Sequence, residues 1–160
     1  MSEVRVQVGS ADAMQHLGEQ LALLLDVGDL VVLDGPLGAG KTTLTRGLGA
    51  GLRVRGDVSS PTYVIARRHR SVGGGPALLH VDAYRVSTQE LADLELDLEA
   101  AECIAVVEWG RDKVEQWSSD RLAVAIELPT ADPDGPRLVT VVGHGPRWAD
   151  APLAALGAAR

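Results

Sequence analysis

The sequence predicts one α/β domain with a mixed, mainly parallel central sheet. Three observations carry this. Residues 30–33 and 103–107 are short unbroken apolar runs and 77–81 is apolar apart from His80, the pattern of strands covered on both faces. Segments with helical spacing alternate with these runs, as parallel strands joined by crossover helices require. The chain has 160 residues, the size of a single domain with a sizeable core.

Taken in order, Val4, Val6 and Val8 alternate with polar residues and predict a half-buried strand. Ser10 is a good N-cap, and Met14, Leu17, Leu21, Leu24 and Leu25 recur at helical spacing until Gly28 supplies a stop. The strand at 30–33 runs into Gly35-Pro36-Leu37-Gly38-Ala39-Gly40, and a helix follows from Lys41 to about Leu52. Ser59-Ser60-Pro61-Thr62 breaks the chain, and residues 63–70 predict an exposed strand before the Gly73-Gly74-Gly75-Pro76 turn. A buried strand at 77–81 ends at Asp82. Leu91, Leu94, Leu96 and Leu98 in an acidic stretch predict one or two short helices, and the strand at 103–107 ends at Glu108-Trp109. Residues 122–128 and 137–142 flank Ala131-Asp132-Pro133-Asp134-Gly135-Pro136 and predict a hairpin. The domain therefore spans 1–143. The Ala-, Gly- and Pro-rich residues 144–160 are expected to be a weakly ordered tail.

Composition excludes several functions. A hydrophobic fraction of 46% with 23% charged residues is that of a globular chain. The net charge is −7, and thirteen of the fifteen cations are Arg, with only Lys41 and Lys113 as Lys. Such a balance opposes binding to nucleic acid by phosphate neutralisation alone. No apolar run approaches the roughly 20 residues that span a bilayer, and residues 1–11 lack a signal-peptide pattern, so a cytoplasmic protein is expected. Cys103 is the only cysteine, which excludes an internal disulfide and a cysteine-based metal cluster; within its apolar run it reads as a buried structural thiol.

The strongest functional signal is the phosphate loop. Residues 35–42 match G-x-x-x-x-G-K-[ST] between a buried strand and a helix, the context the motif requires. The fold class is accordingly a single P-loop NTPase-like domain. Gly38 and Gly40 let backbone amides approach phosphates with no Cβ in the way, and the helix start adds its partial positive charge. Lys41 can reach the β- and γ-phosphates, and the Thr42 hydroxyl can meet Mg²⁺. Asp82, at a strand end, fits the acid that holds the metal. Glu108 ends another strand in the same way and could ligand the metal or orient the attacking water. No Asn-Lys-x-Asp element is present to read guanine, and no Leu-Ser-Gly-Gly-Gln signature of transporter ATPases. Small adenine-nucleotide ATPases and kinases remain.

Four landmarks together resemble one family: Gly35-Pro36-Leu37-Gly38-Ala39-Gly40-Lys41-Thr42-Thr43, Val58-Ser59-Ser60-Pro61-Thr62-Tyr63, His80-Val81-Asp82-Ala83-Tyr84-Arg85, and Glu108-Trp109. In order and spacing they are similar to the bacterial TsaE (YjeE) family of tRNA threonylcarbamoyladenosine biosynthesis ATPases. The resemblance implies a weak, Mg²⁺-dependent ATPase that binds ATP and ADP. It also implies partnership with TsaD and TsaB proteins, which install threonylcarbamoyl on an adenosine of ANN-decoding tRNAs. By position it implies catalytic roles for Lys41, Thr62, Asp82 and Glu108, with Thr62 as a switch threonine. The bland alternative for Thr62 is a Ser-Pro-Thr turn. Nucleotide contacts are implied at Ser10, Gly38, Ala39, Gly40, Lys41, Thr42, Thr43 and Arg137, and metal contacts at Thr42, Asp82 and Glu108. Trp109 could cover the site or pack inside.

Three residues depart from the family pattern: Pro36 replaces an Asp, Met14 a Thr, and Glu95 a Gly. Arg85 is the best internal candidate for an arginine finger. Arg67, Arg68 and Arg70 read as a solvated face or as a contact for tRNA or an acidic partner, with any other tRNA contact indirect. Two further readings use the same P-loop: a small-molecule kinase, which needs an acceptor pocket and lid, and a nucleotide-gated binding module without turnover.

Overall fold

A computed structural model describes residues 2–59 and 65–157. Seven strands form one sheet in the order β1-β7-β6-β2-β5-β4-β3. They are β1 (Ser2–Val8), β2 (Leu30–Asp34), β3 (Ala66–His69), β4 (Leu78–Asp82), β5 (Ile104–Glu108), β6 (Arg121–Glu127) and β7 (Arg137–His144). The four middle strands, β6-β2-β5-β4, run parallel. The flanks are antiparallel: β7 pairs with β6 and with β1, and β3 pairs with β4. The predicted hairpin is present, with Val124 opposite Val141. This is the single α/β domain expected from the sequence, parallel in the middle of its sheet.

The helices are α1 (Ala11–Ala22), α2 (Lys41–Gly51), α3 (Thr88–Asp93) and α4 (Leu96–Ala100). Ser10 caps α1 by accepting a hydrogen bond from the Ala13 amide at 3.1 Å. Because α1 ends at Ala22, short of Gly28, Leu23 lies outside the helix and is exposed. α1 and α2 cover one face of the sheet, where Leu17, Leu21, Leu44 and Leu48 meet Val31, Leu33, Val106 and Val124. α3 and α4 close a smaller core on the other face, around Leu79, Val81, Ala105 and Val107. Cys103 is fully buried there, as expected.

The two large helices touch backbone to backbone. A Cβ on Gly47 would overlap the carbonyl oxygen of Gln15, and one on Gly18 would overlap that of Leu44. Gly47→Ala is therefore expected to force α1 and α2 apart and destabilise the fold by about 3 kcal/mol, read by urea denaturation.

Residues 145–157 pack onto the domain through a few buried side chains. Trp148 is fully buried against Gly143, and Leu153 and Leu156 are also buried. Arg147 grips the buried Asp29 with both branches, Nε to Oδ1 at 3.1 Å and Nη2 to Oδ2 at 2.8 Å. Its guanidinium also lies 4.2 Å over the Trp148 ring. Among the described residues, no helix is long and apolar enough to cross a membrane.

Candidate nucleotide-binding site

The carboxyl ends of β2, β4 and β5 meet at one edge of the sheet, where ligands of open α/β sheets bind. Each of these strands ends in an acid: Asp34, Asp82 and Glu108. Asp82 and Glu108 sit directly opposite each other in the parallel register of β4 and β5. The P-loop leaves β2 and turns into α2 through Gly40, whose φ of 114° is open to glycine and costly for other residues. Gly38 is also left-handed, with φ 79°. The buried Ala39 pins the loop down, and its amide donates to the Pro36 carbonyl at 3.1 Å. The first bond back into the helix is Leu44 N–H to the Gly40 carbonyl. The amides of Lys41, Thr42 and Thr43 consequently point out of the helix start, ready for an anion.

Lys41 is buried. Its Nζ donates to the carbonyls of Gly35 at 2.6 Å and Pro36 at 3.0 Å, and it lies 4.1 Å from the centroid of the Trp109 ring. Burial pushes the ammonium below the ordinary lysine range, while Glu108, Asp34 and Asp82 pull it back. Trp109 reaches over Lys41 from a left-handed backbone, φ 61°, and its amide donates to the Leu33 carbonyl. The Tyr84 ring meets that of Trp109 at a tilt of 46°, centroids 4.7 Å apart. Trp109 thus covers the lysine.

A cavity of about 290 Å³ opens here, lined by Gly40, Lys41, Thr42, Asp82, Glu108 and Trp109. Asp82 accepts the Tyr84 amide at 3.0 Å. Glu108 is 3% exposed, and His80 Nε2 lies 2.5 Å from its Oε2. Thr42, Asp82 and Glu108 supply oxygen donors to one space, the donor type that Mg²⁺ takes alongside water and phosphate oxygens.

A second cavity, about 260 Å³, lies across the P-loop and is lined by Ser10, Met14, Gly38, Ala39, Thr43 and Arg137. The two cavities share Gly38, Gly40 and Thr43. Arg137 forms a wall there: Nε donates to the Ala39 carbonyl and Nη2 to that of Gly38, each at 3.3 Å, while Nη2 and Nη1 hold Pro133 and Gly135. It ties the P-loop to the β6–β7 turn. Thr62 lies outside the described residues.

Three residues went unread in the sequence. Asp34 stands one residue past the strand expected at 30–33, and its carboxyl is pushed up by burial, with Arg111 at 3.8 Å opposing. Its signal was available, since it ends its strand as Asp82 and Glu108 do. Lys113 donates to the Ala83 carbonyl at 2.6 Å and steadies the turn after Asp82. His80 is buried behind Glu108.

The family model for threonylcarbamoyl adenosine biosynthesis protein TsaE matches residues 8–135. The chain belongs to the TsaE family. A tRNA threonylcarbamoyladenosine biosynthesis protein TsaE from Streptomyces coelicolor is 56% identical over 146 residues, covering 89% of this chain and 99% of the relative. The protein of the same name from Mycobacterium tuberculosis is 44% identical over 119 residues, 69% of this chain and 71% of the relative. Among solved structures, Bacillus subtilis YdiB superposes with a TM-score of 0.75 at 26% identity, covering 92% of this chain and 89% of that one. Within the TsaE pattern, the departure at Glu95 has a structural cost. Glu95 joins α3 to α4 with φ 53°, the left-handed region that suits glycine. Glu95→Gly is expected to raise stability slightly, by up to about 1 kcal/mol, visible as a higher denaturation midpoint.

Proposed function

We propose that the protein is a weak, Mg²⁺-dependent ATPase that serves tRNA threonylcarbamoyladenosine biosynthesis with TsaD- and TsaB-type partners. The observation that carries this reading is the convergence of Lys41, Thr42, Asp82 and Glu108 on one cavity at the P-loop. ATP places its phosphates on the amides of residues 38–43, and the second cavity beside Ser10 and Arg137 takes the nucleoside end. Lys41 moves from the Gly35 and Pro36 carbonyls to the phosphates. Mg²⁺, held by Thr42 with Asp82 and Glu108, would neutralise charge on the β- and γ-phosphates. Glu108 orients the attacking water, whose oxygen bonds the γ-phosphorus as the bond to the bridging oxygen breaks. Thr62 acts as the switch threonine.

Slow intrinsic turnover follows from the walls of the cavity. No arginine lines it among the described residues, and Arg85 is exposed beyond Tyr84. The partner proteins complete the site. Arg67 and Arg68 are exposed on the edge strand β3 and Arg70 is exposed just past its end, with Arg68 engaged 3.6 Å from Glu99. Direct contact with tRNA phosphates is assigned to Arg67 and Arg70. The test is phosphate release from ATP by the purified protein, with and without the partners. Release without any acceptor supports the ATPase; strict dependence on an added alcohol or nucleoside selects the kinase reading instead.

A further inference from the structure

His80 occupies the middle of β4 in the run Leu78-Leu79-His80-Val81, where its neighbours are core residues. It is fully buried and does not line either cavity at the P-loop. It therefore cannot touch a nucleotide itself. Its position on the sheet is specific. His80 pairs with Val106 in the register of β4 with β5, and Glu108 lies two residues further along β5 on the same face. That diagonal brings Nε2 to 2.5 Å from Glu108 Oε2. In the tautomer with hydrogen on Nε2 the ring donates to a Glu108 carboxylate oxygen, and Nδ1 is buried with no hydrogen-bond partner among the described residues.

We infer that His80 is the positioning residue for Glu108, holding one carboxylate oxygen so that the other is presented to the phosphate cavity. The inference rests on the ATPase reading above. A glutamate on a strand end has free torsions, and a carboxylate that must meet a water or a metal at fixed geometry gains from a fixed orientation. Burial alone cannot supply it. Leucine at position 80 would fill a core site of this kind, so packing gives no reason for an imidazole there. An unpartnered buried carboxylate is costly, and the histidine removes that cost at the place where the acid is needed.

The test compares wild type with His80→Leu, His80→Gln, Glu108→Gln and the double variant His80→Leu/Glu108→Gln. It uses Mg-ATP hydrolysis in the presence of the partner proteins, binding of a fluorescent ADP analogue, and thermal melting. His80→Leu is expected to lower kcat by about 10- to 100-fold with KM within about twofold, the range found for residues that orient a ligand or catalyst. His80→Gln, whose amide N–H can replace Nε2–H, restores most of kcat. The double variant is expected to be no slower than Glu108→Gln. Unchanged kcat in His80→Leu, a failure of His80→Gln to rescue it while melting normally, or losses that multiply in the double variant would each overturn the inference. Absence of hydrolysis by wild type overturns the ATPase reading and the inference together.

Discussion

Lys41→Ala is expected to lower ATP hydrolysis by at least about a hundredfold, the size of effect seen when one preorganised donor is removed from a charged transition state. The variant remains folded. Among the described residues the ammonium donates to the Gly35 and Pro36 carbonyls and rests against Trp109. It is desolvated there, and burial lowers its pKa from the ordinary lysine range while Glu108, Asp34 and Asp82 oppose. The folded state therefore loses little with it, within about 1 kcal/mol. Nucleotide binding loses the only lysine at the P-loop, and none of the neighbouring backbone amides carries a full charge. A melting curve close to wild type with binding of an ADP analogue abolished is the expected pair of results. Arginine is not an equivalent replacement, since its planar fork stands in for a compact, flexible point charge.

Trp148→Ala is expected to destabilise the fold by about 4 kcal/mol, a large share of the 5–15 kcal/mol that typically holds such a domain together. The indole is fully buried on Gly143 of β7 and is covered by the Arg147 guanidinium. Its removal leaves a void beneath the last strand pairing of β7 with β1 and β6. Arg147→Ala acts on the same anchor from outside. It leaves the buried Asp29 carboxylate with the Asp26 amide at 2.7 Å as its remaining protein partner, and should cost about 2 kcal/mol. The two losses are expected to be less than additive, since the side chains touch. Chemical denaturation of the two single variants and the double variant measures this directly. Both substitutions lie at the end of β2 away from the P-loop, so nucleotide affinity of the folded fraction should not change.

What could be read from the sequence follows the range of the interactions. The P-loop, its flanking strand and helix, the Ser10 cap and the β6–β7 hairpin depend on residues close together in the chain, and all were legible. Asp82 and Glu108 are legible as strand-end acids because the runs before them are apolar, save for His80. Asp34 was missed because the strand was closed one residue early, at the last apolar side chain. His80 was quoted within a motif but given no role, because a histidine inside an apolar run looks like a core residue until the register of β4 with β5 is known. The pairing of β1 with β7, and the anchor of Trp148 with Arg147 on Asp29, join residues more than a hundred positions apart. Composition carries no trace of such contacts. The left-handed backbone at Glu95 explains in physical terms why a glycine suits that position.

The opening charge balance also gains a physical reading. Of the two lysines, Lys41 is the phosphate-loop cation and Lys113 braces the turn that follows Asp82. A −7 chain is suited to tRNA chemistry conducted mainly through protein partners, with the exposed Arg67 and Arg70 as its local exception.

The most direct measurement of the central claim is phosphate released from Mg-ATP by wild type, Lys41→Ala and Glu108→Ala, each alone and with TsaD- and TsaB-type proteins, with no acceptor added. Wild type is expected to release phosphate slowly, and faster when the partners are present, with both variants at background level. Equal release by wild type and Lys41→Ala, or release only on addition of an alcohol or nucleoside acceptor, would contradict the claim.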